Sequence, residues 1–96
     1  MRNRITGKLK NNLVEIKRRF EIKEIGVFGS CIKGKAKKGS DIDILVEFEE
    51  GHKTFDNYME LKFFLEELFN RKVDLILKNA LKEGIKPYIL PEVIYV

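Results

Sequence analysis

Two carboxylates stand at the start of an apolar run that is patterned as a buried strand. The run extends from Ile42 to Phe48, with Asp41 just before it and Asp43 inside it. Alternate residues of a strand point to opposite faces, so the even-numbered residues from 42 to 48 form one apolar face and both aspartates lie on the other. The apolar face must pack against helices. The chain is therefore constrained to a layered fold in which a sheet carries helices on one side.

The spacing of the two aspartates suits a bound cation. An unpaired buried carboxylate costs several kcal/mol, and two carboxylates on one face also repel each other. Residues two apart in a strand lie about 6.5 to 7 Å apart at Cα, so both side chains can reach one cation or a close pair. Oxygen-only ligands favour Mg²⁺ or Mn²⁺ over zinc. A simpler interpretation stays open, in which Asp41 caps a turn with Ser40 and Asp43 is a tolerated edge charge.

A glycine–serine turn and a basic loop precede the aspartates. Gly29 and Ser30 directly follow the apolar run Ile25 to Phe28. Gly29 lets a ligand approach the backbone closely, and Ser30 can cap a short helix while its hydroxyl and neighbouring amides face an anion. Alone, such a segment would indicate only an exposed loop. Beside the carboxylate pair it favours metal-assisted phosphate chemistry. The basic residues of the loop are Lys33, Lys35, Lys37 and Lys38.

Length and composition narrow the classes of protein to consider. The chain has 96 residues, enough for one domain over residues 1–96 with a modest core. One cysteine and one histidine cannot supply an internal disulfide or amount to a zinc site. No apolar stretch is long enough for a membrane span, and the N-terminus lacks a signal-peptide core. We therefore expect a soluble, cytoplasmic protein.

Charge is distributed unevenly along the chain. Residues 1–28 carry a net charge of +5, residues 29–40 carry +4, and residues 41–96 carry −5. A basic half can steer polyanions such as nucleotides or RNA, and it can equally meet an acidic partner. The basic loop contains none of the aromatic residues on which single-stranded bases stack. This absence makes binding to nucleic acid less favoured.

Hydrophobic periodicity predicts alternating helices and strands, whose bounds are given at the end of the next paragraph.

Two residues in these elements carry further predictions. Gly26 in the first strand indicates that another backbone approaches closely there. On the second helix, Phe63 falls outside the buried stripe, and with part of that stripe it could serve a contact with a second copy or a partner. The predicted elements are a helix from Thr6 to Arg19, a strand from Ile25 to Phe28, a turn from Ser30 to Lys33, a strand from Ile42 to Phe48, a helix from Phe55 to Phe69 capped by Thr54 or Asp56 and closed by Asn70, a strand from Val73 to Leu77, a helical turn from Tyr88 to Leu90 and a strand from Glu92 to Val96.

The glycine–serine turn, the S-D-x-D motif at Ser40 to Asp43 and the apolar strand after it resemble the signature of the DNA polymerase beta-type nucleotidyltransferase superfamily. The chain resembles most closely the minimal nucleotidyltransferases, the MntA-like antitoxins encoded beside HEPN-domain toxins. The resemblance is close from Gly29 to Val46, and the order of the remaining elements is similar. It implies an α+β (α/β-like) fold with a small mixed sheet, helices on one face and the aspartates on the other.

The resemblance also implies the roles of individual residues. The pattern asks for a third carboxylate on a neighbouring strand, and Asp74 fits because it alternates with apolar residues from Val73 to Leu77. The family usually has arginine at the position of Lys33, and lysine keeps the charge but loses the planar, bidentate fork. The implied catalytic and metal ligands are Asp41, Asp43 and Asp74 for two Mg²⁺ ions, with Mn²⁺ as an alternative, and the implied nucleotide-binding residues are Gly29, Ser30, Lys33 and Ser40.

The activity implied by the resemblance is transfer of AMP from ATP to a tyrosine hydroxyl of a HEPN-domain toxin. Two alternatives remain open from the sequence. The first is an antitoxin that masks its partner sterically and keeps only a vestigial nucleotide site. The second is a nucleotidyltransferase that acts on RNA ends or on a small hydroxylated substrate.

Overall fold

A four-stranded mixed sheet forms the centre of the computed structural model, which describes residues 4–29 and 41–96. The spatial order of the strands is β3-β2-β1-β4, with β1 antiparallel to β2 and β4, and β2 parallel to β3. The α+β class predicted from the sequence is confirmed. The strands are β1 (Ile22–Phe28), β2 (Ile42–Phe48), β3 (Val73–Leu77) and β4 (Ile94–Tyr95), and the helices are α1 (Arg4–Asn11), α2 (Leu13–Phe20), α3 (Phe55–Phe69) and α4 (Lys86–Ile89).

The N-terminal helix is broken at Asn12, where the periodicity had predicted one continuous helix. The Asn12 backbone has φ −109° and ψ 8°, outside the helical range. Its side-chain amide donates to the Lys8 carbonyl oxygen at 2.8 Å. Asparagine side chains compete for backbone partners in this way, which interrupts helices. Leu9 and Ile16 still reach the same core, so the hydrophobic pattern survives the break.

Helix α3 has the bounds predicted from the sequence, and its two caps explain why. Thr54 Oγ1 accepts a hydrogen bond from the Asn57 backbone N–H at 3.2 Å, as expected of an N-cap. Asn70 closes the helix in the left-handed region, with φ 53°. Across residues 4–29 and 41–96, none of the helices is long and apolar enough to cross a membrane.

The core lies between the sheet and helices α1 to α3. Its centre is the even-numbered face of β2, where Ile42, Ile44, Val46 and Phe48 are all buried, as the alternation predicted. The opposite face of the sheet, which carries Asp43, is partly covered. Leu45 shares that face with Asp43, yet it is only 1% exposed. Gly26 pairs with Leu45 and lies against Val93. The C-terminal segment therefore covers the part of this face next to Leu45.

The last strand is shorter than predicted. It spans only Ile94–Tyr95, because Leu90–Glu92 forms a 3₁₀ turn around Pro91 instead of extended backbone. The helical turn predicted from Tyr88 to Leu90 begins earlier, at Lys86, where Pro87 occupies the first turn. Strand β1 is longer than predicted, because Glu21 ends α2 in the left-handed region and Ile22 already pairs with Phe48.

Gly26→Ala is expected to lower the free energy of unfolding by about 1–3 kcal/mol through overpacking. A Cβ at this position would lie 2.6 Å from Val93 Cγ1 and 2.9 Å from the Ile94 carbonyl oxygen. Urea denaturation measures the change. The matched control is Gly7→Ala in α1, where a Cβ meets nothing within 4 Å and helix propensity favours alanine. Equal stability of the two variants would contradict the close approach of β4 to β1.

Candidate active site

Asp43 and Asp74 are direct neighbours in the sheet. The parallel register of β2 and β3 pairs Asp43 with Asp74, and neighbouring strands lie about 4.8 Å apart. Both residues alternate with buried apolar neighbours, so their side chains stand on the face opposite the helices. Asp74 is exposed and Asp43 is half-buried, while Asp41 lies exposed just before β2. The structure thus makes Asp43 and Asp74 direct neighbours, and it places Asp41 near enough to influence the charge of Asp43.

The electrostatics of Asp43 reflect this proximity. Burial raises the pKa of the Asp43 carboxyl, and the nearby carboxylates of Asp74 and Asp41 raise it further. All three effects disfavour the ionised form of Asp43. A cation at this face would reverse the balance, because it would stabilise the negative charges that now repel one another.

Gly29 directly follows β1 and lies beside the carboxylate of Asp43. Its φ is +85°, in the region that favours glycine, and a Cβ there would overlap Asp43 Oδ2. Phe28, the preceding residue, pairs with Asp43 across the antiparallel ladder. This position therefore favours glycine for two reasons. Its backbone conformation is unfavourable for other residues, and the Asp43 carboxylate occupies the space that a side chain would need. The predicted link between the glycine turn and the carboxylate pair is thus a direct contact.

The donor chemistry of this face suits a hard divalent cation. Carboxylate oxygens are the ligands that Mg²⁺ and Mn²⁺ prefer, and the chain presents them from adjacent strands. With the side chains as placed, no three His, Cys, Asp or Glu residues in the described ranges form a metal-binding group. The assignment of the three aspartates as metal ligands stays a prediction.

Part of the predicted site lies outside the described residues. This applies to Ser30, Lys33 and Ser40, to the predicted turn from Ser30 to Lys33, and to the remaining lysines of the basic loop. Their roles in phosphate binding stay predictions.

An ion pair that the sequence analysis did not identify occupies the same sheet face, further from the aspartates. Lys78 Nζ lies 2.7 Å from Glu24 Oε2 and 5.3 Å from the centre of the Tyr95 ring. The Lys78 ammonium lowers the pKa of Glu24, and the hydrogen bond to Glu24 raises the pKa of Lys78. The contacts join β1, β4 and the end of β3. The even spacing from Asp74 was the available signal, although Lys78 begins a 3₁₀ turn directly after β3.

The order of the strands and the acidic face define a class, the minimal nucleotidyltransferase fold. A solved structure called "putative minimal nucleotidyltransferase" superimposes with a TM-score of 0.81, at 31% identity, over 98% of this chain and 95% of that one. The model of the nucleotidyltransferase domain family matches residues 9–96. The chain belongs to that family, and the resemblance inferred from the sequence is confirmed.

Two further comparisons are more specific. The chain is 49% identical over 82 residues to protein adenylyltransferase MntA of Thermococcus cleftensis, covering 85% of this chain and 82% of that protein. A solved complex of a tri-AMPylated Shewanella oneidensis HEPN toxin with an MNT antitoxin matches with a TM-score of 0.65. That match covers 95% of this chain and 70% of the other, and at 18% identity it shows the fold alone.

Proposed function

We propose that this chain is a protein adenylyltransferase antitoxin that transfers AMP from ATP to a tyrosine hydroxyl of a HEPN-domain toxin. The observation that carries the proposal is the pairing of Asp43 with Asp74, beside the Gly29 turn, in a member of the nucleotidyltransferase family. The 49% identity to protein adenylyltransferase MntA supports adenylyl transfer to a protein. The AMPylated HEPN toxin in the complex with the MNT antitoxin suggests the acceptor.

Each residue of the site has a distinct part in this proposal. Asp41, Asp43 and Asp74 would hold two Mg²⁺ ions, or Mn²⁺ in their place. The ions, when bound, offset the charge of the triphosphate and lower the pKa of the attacking hydroxyl. Gly29 leaves room for the Asp43 carboxylate because it has no side chain. The predicted phosphate contacts of the basic loop come from Ser30, Lys33 and Ser40.

The reaction forms one phosphorus–oxygen bond and breaks another. The tyrosine oxygen bonds to the α-phosphorus of ATP, and the bond from that phosphorus to the bridging oxygen of pyrophosphate breaks in line. The hydroxyl proton leaves to solvent. Asp74 lies on an edge strand and is exposed, so an acceptor can approach it from outside the sheet. We place the reaction in the cytoplasm, where ATP is supplied, and in a single domain over residues 1–96.

Transfer of label from α-labelled ATP to the HEPN-domain protein of the same organism tests the proposal. Wild-type chain with Mg²⁺ is expected to label the protein, and Asp74→Asn is expected to lower the rate by about a hundredfold or more. The control is Glu50→Gln, an exposed acidic residue in the turn after β2, which should label normally.

Three outcomes of this experiment would contradict the proposal. Neutralisation of the toxin without any label would indicate steric masking. Label on added RNA and none on protein would indicate a nucleic-acid acceptor. Label from γ-labelled ATP would indicate phosphoryl transfer.

A further inference from the structure

Helices α2 and α3 lie side by side over the sheet face opposite the aspartates, and their net charges are opposite. Helix α2 has three basic residues and one acidic residue, a net charge of +2, and α3 has four acidic residues and one basic residue, a net charge of −3. Among residues 4–29 and 41–96, no ion pair joins the two helices. Most of these charges are therefore available to a partner. The charged residues are Glu15, Lys17, Arg18 and Arg19 in α2, and Asp56, Glu60, Lys62, Glu66 and Glu67 in α3.

A groove between the two helices combines both charges with an exposed aromatic side chain. The Arg19 guanidinium lies over the rings of Phe20 and Phe64, 5.2 and 5.4 Å from their centres, and these contacts hold it at the groove. Phe63 also lines the groove and is 58% exposed. An exposed aromatic beside an ordered arginine is the composition typical of the centre of a protein interface. The groove has a volume of about 640 Å³, and its lining consists of Arg19, Glu60, Phe63, Phe64, Glu67 and Leu68.

The arrangement of the charges favours a second copy of the chain as the occupant of this face. A surface with one basic half and one acidic half is complementary to itself after a two-fold rotation. When two copies meet face to face, the axis lies in the plane of contact. An axis across the helices would place α2 on α2 and α3 on α3, with like charges opposed. An axis along the groove places α2 of each copy on α3 of the other, so electrostatic complementarity selects this second arrangement.

We propose that the chain forms a two-fold dimer through this face, with the axis along the groove between α2 and α3. Arg19 of each copy faces the acidic side chains of Glu60 and Glu67 in the other, and Phe63 of each copy packs at the groove of the other. The inference does not depend on the proposed function. It assigns a partner to the outer face of the helical layer.

The dimer leaves both candidate active sites accessible. Helices α2 and α3 cover the even-numbered face of β2, whereas Asp43 and Asp74 stand on the opposite face of the sheet. Pairing through the helices therefore directs the two acidic faces away from each other. Each copy can meet its own acceptor, and the chemistry of one site does not require the other.

A charge exchange between two variants tests the dimer. Wild type is expected to sediment as a dimer at high protein concentration and to dissociate on dilution. Arg19→Glu and Glu67→Lys should each weaken dimerisation by at least about tenfold, because each places like charges at both symmetric contacts. An equimolar mixture of the two variants should recover the affinity of wild type. In the mixed dimer the substituted side chains attract each other at one contact, and the wild-type pair remains at the other.

Phe63→Ala gives an independent test, with Phe55→Ala as its matched control. Both are exposed phenylalanines of α3, at 58% and 76%, but only Phe63 lines this groove. Phe63→Ala should weaken dimerisation about tenfold, and Phe55→Ala should dimerise as wild type does. The rate of AMP transfer per chain by Phe63→Ala should stay within about twofold of wild type. Both substitutions are at exposed positions, so these variants keep the test informative if Arg19→Glu fails to fold.

Four results would overturn the proposal. The first is a wild-type chain that stays monomeric at every concentration. The second is a mixture of Arg19→Glu and Glu67→Lys, both folded by circular dichroism, that recovers no dimer. The third is a Phe63→Ala variant that dimerises as tightly as wild type. The fourth is a monomeric wild type whose calorimetric affinity for the HEPN-domain protein falls in Phe63→Ala, which would make that protein the occupant of the face.

Discussion

Asp43→Asn is expected to lower the rate of AMP transfer by about a thousandfold and to raise the melting temperature of the metal-free chain by about 2–5 °C. The two changes have one cause, because the charge that would hold a cation is the charge that burial and the carboxylates of Asp74 and Asp41 disfavour. Asparagine keeps the shape of the side chain and removes that charge. The variant is therefore expected to be less active and more stable than wild type, as is common at sites built from like charges.

The pH dependence of stability gives this prediction a second readout. Since the folded-state pKa of Asp43 is raised, its ionised form destabilises the folded chain, and stability falls as pH rises from the unfolded-state pKa through the folded-state value. The melting temperatures of wild type and Asp43→Asn should therefore differ at pH 7 and converge as the pH is lowered and Asp43 is protonated. Scanning calorimetry in the presence of a chelator measures both. A variant that is less stable than wild type at pH 7 would contradict the electrostatic account.

Gly29→Ala is expected to lower AMP transfer by about a hundredfold and the free energy of unfolding by about 1–3 kcal/mol. The added methyl group overlaps Asp43 Oδ2, and the positive φ becomes unfavourable for a residue with a Cβ. Displacement of a site carboxylate by about 1 Å is sufficient for a loss of this size. Initial rates of labelling and urea denaturation measure the two effects.

Gly51→Ala provides the matched control for backbone strain. Gly51 has nearly the same φ, +84°, but a Cβ there meets nothing within 4 Å. The control should therefore lose a similar amount of stability from its backbone and should keep its activity. If Gly29→Ala were as active as Gly51→Ala, the contact between Gly29 and Asp43 would have no part in the reaction.

The sequence predicted those elements whose signals are local. Strands β2 and β3 and helix α3 have the predicted bounds, because the alternation around the aspartates defines the strands and the caps Thr54 and Asn70 define the helix. The break at Asn12 was missed because the apolar spacing continues across it while the side chain bonds to Lys8. The length of β4 was overestimated because an apolar run does not reveal where a 3₁₀ turn replaces extended backbone.

The candidate site was predictable in its members but not in its geometry. A sequence can place Asp43 and Asp74 on exposed faces of two strands, but it cannot give the order of the strands or their register. That register is what makes the two residues direct neighbours. Nor did the apolar spacing of α3 reveal that Phe55, at the start of the helix, is 76% exposed.

The most direct test of the central claim is a crystal structure of the chain with a non-hydrolysable ATP analogue and Mn²⁺, using anomalous scattering to locate the ions. The account predicts anomalous peaks about 2.1 Å from carboxylate oxygens of Asp43 and Asp74, between these side chains and the triphosphate. Peaks remote from both aspartates, or a bound nucleotide whose phosphates lie away from the Gly29 turn, would contradict it.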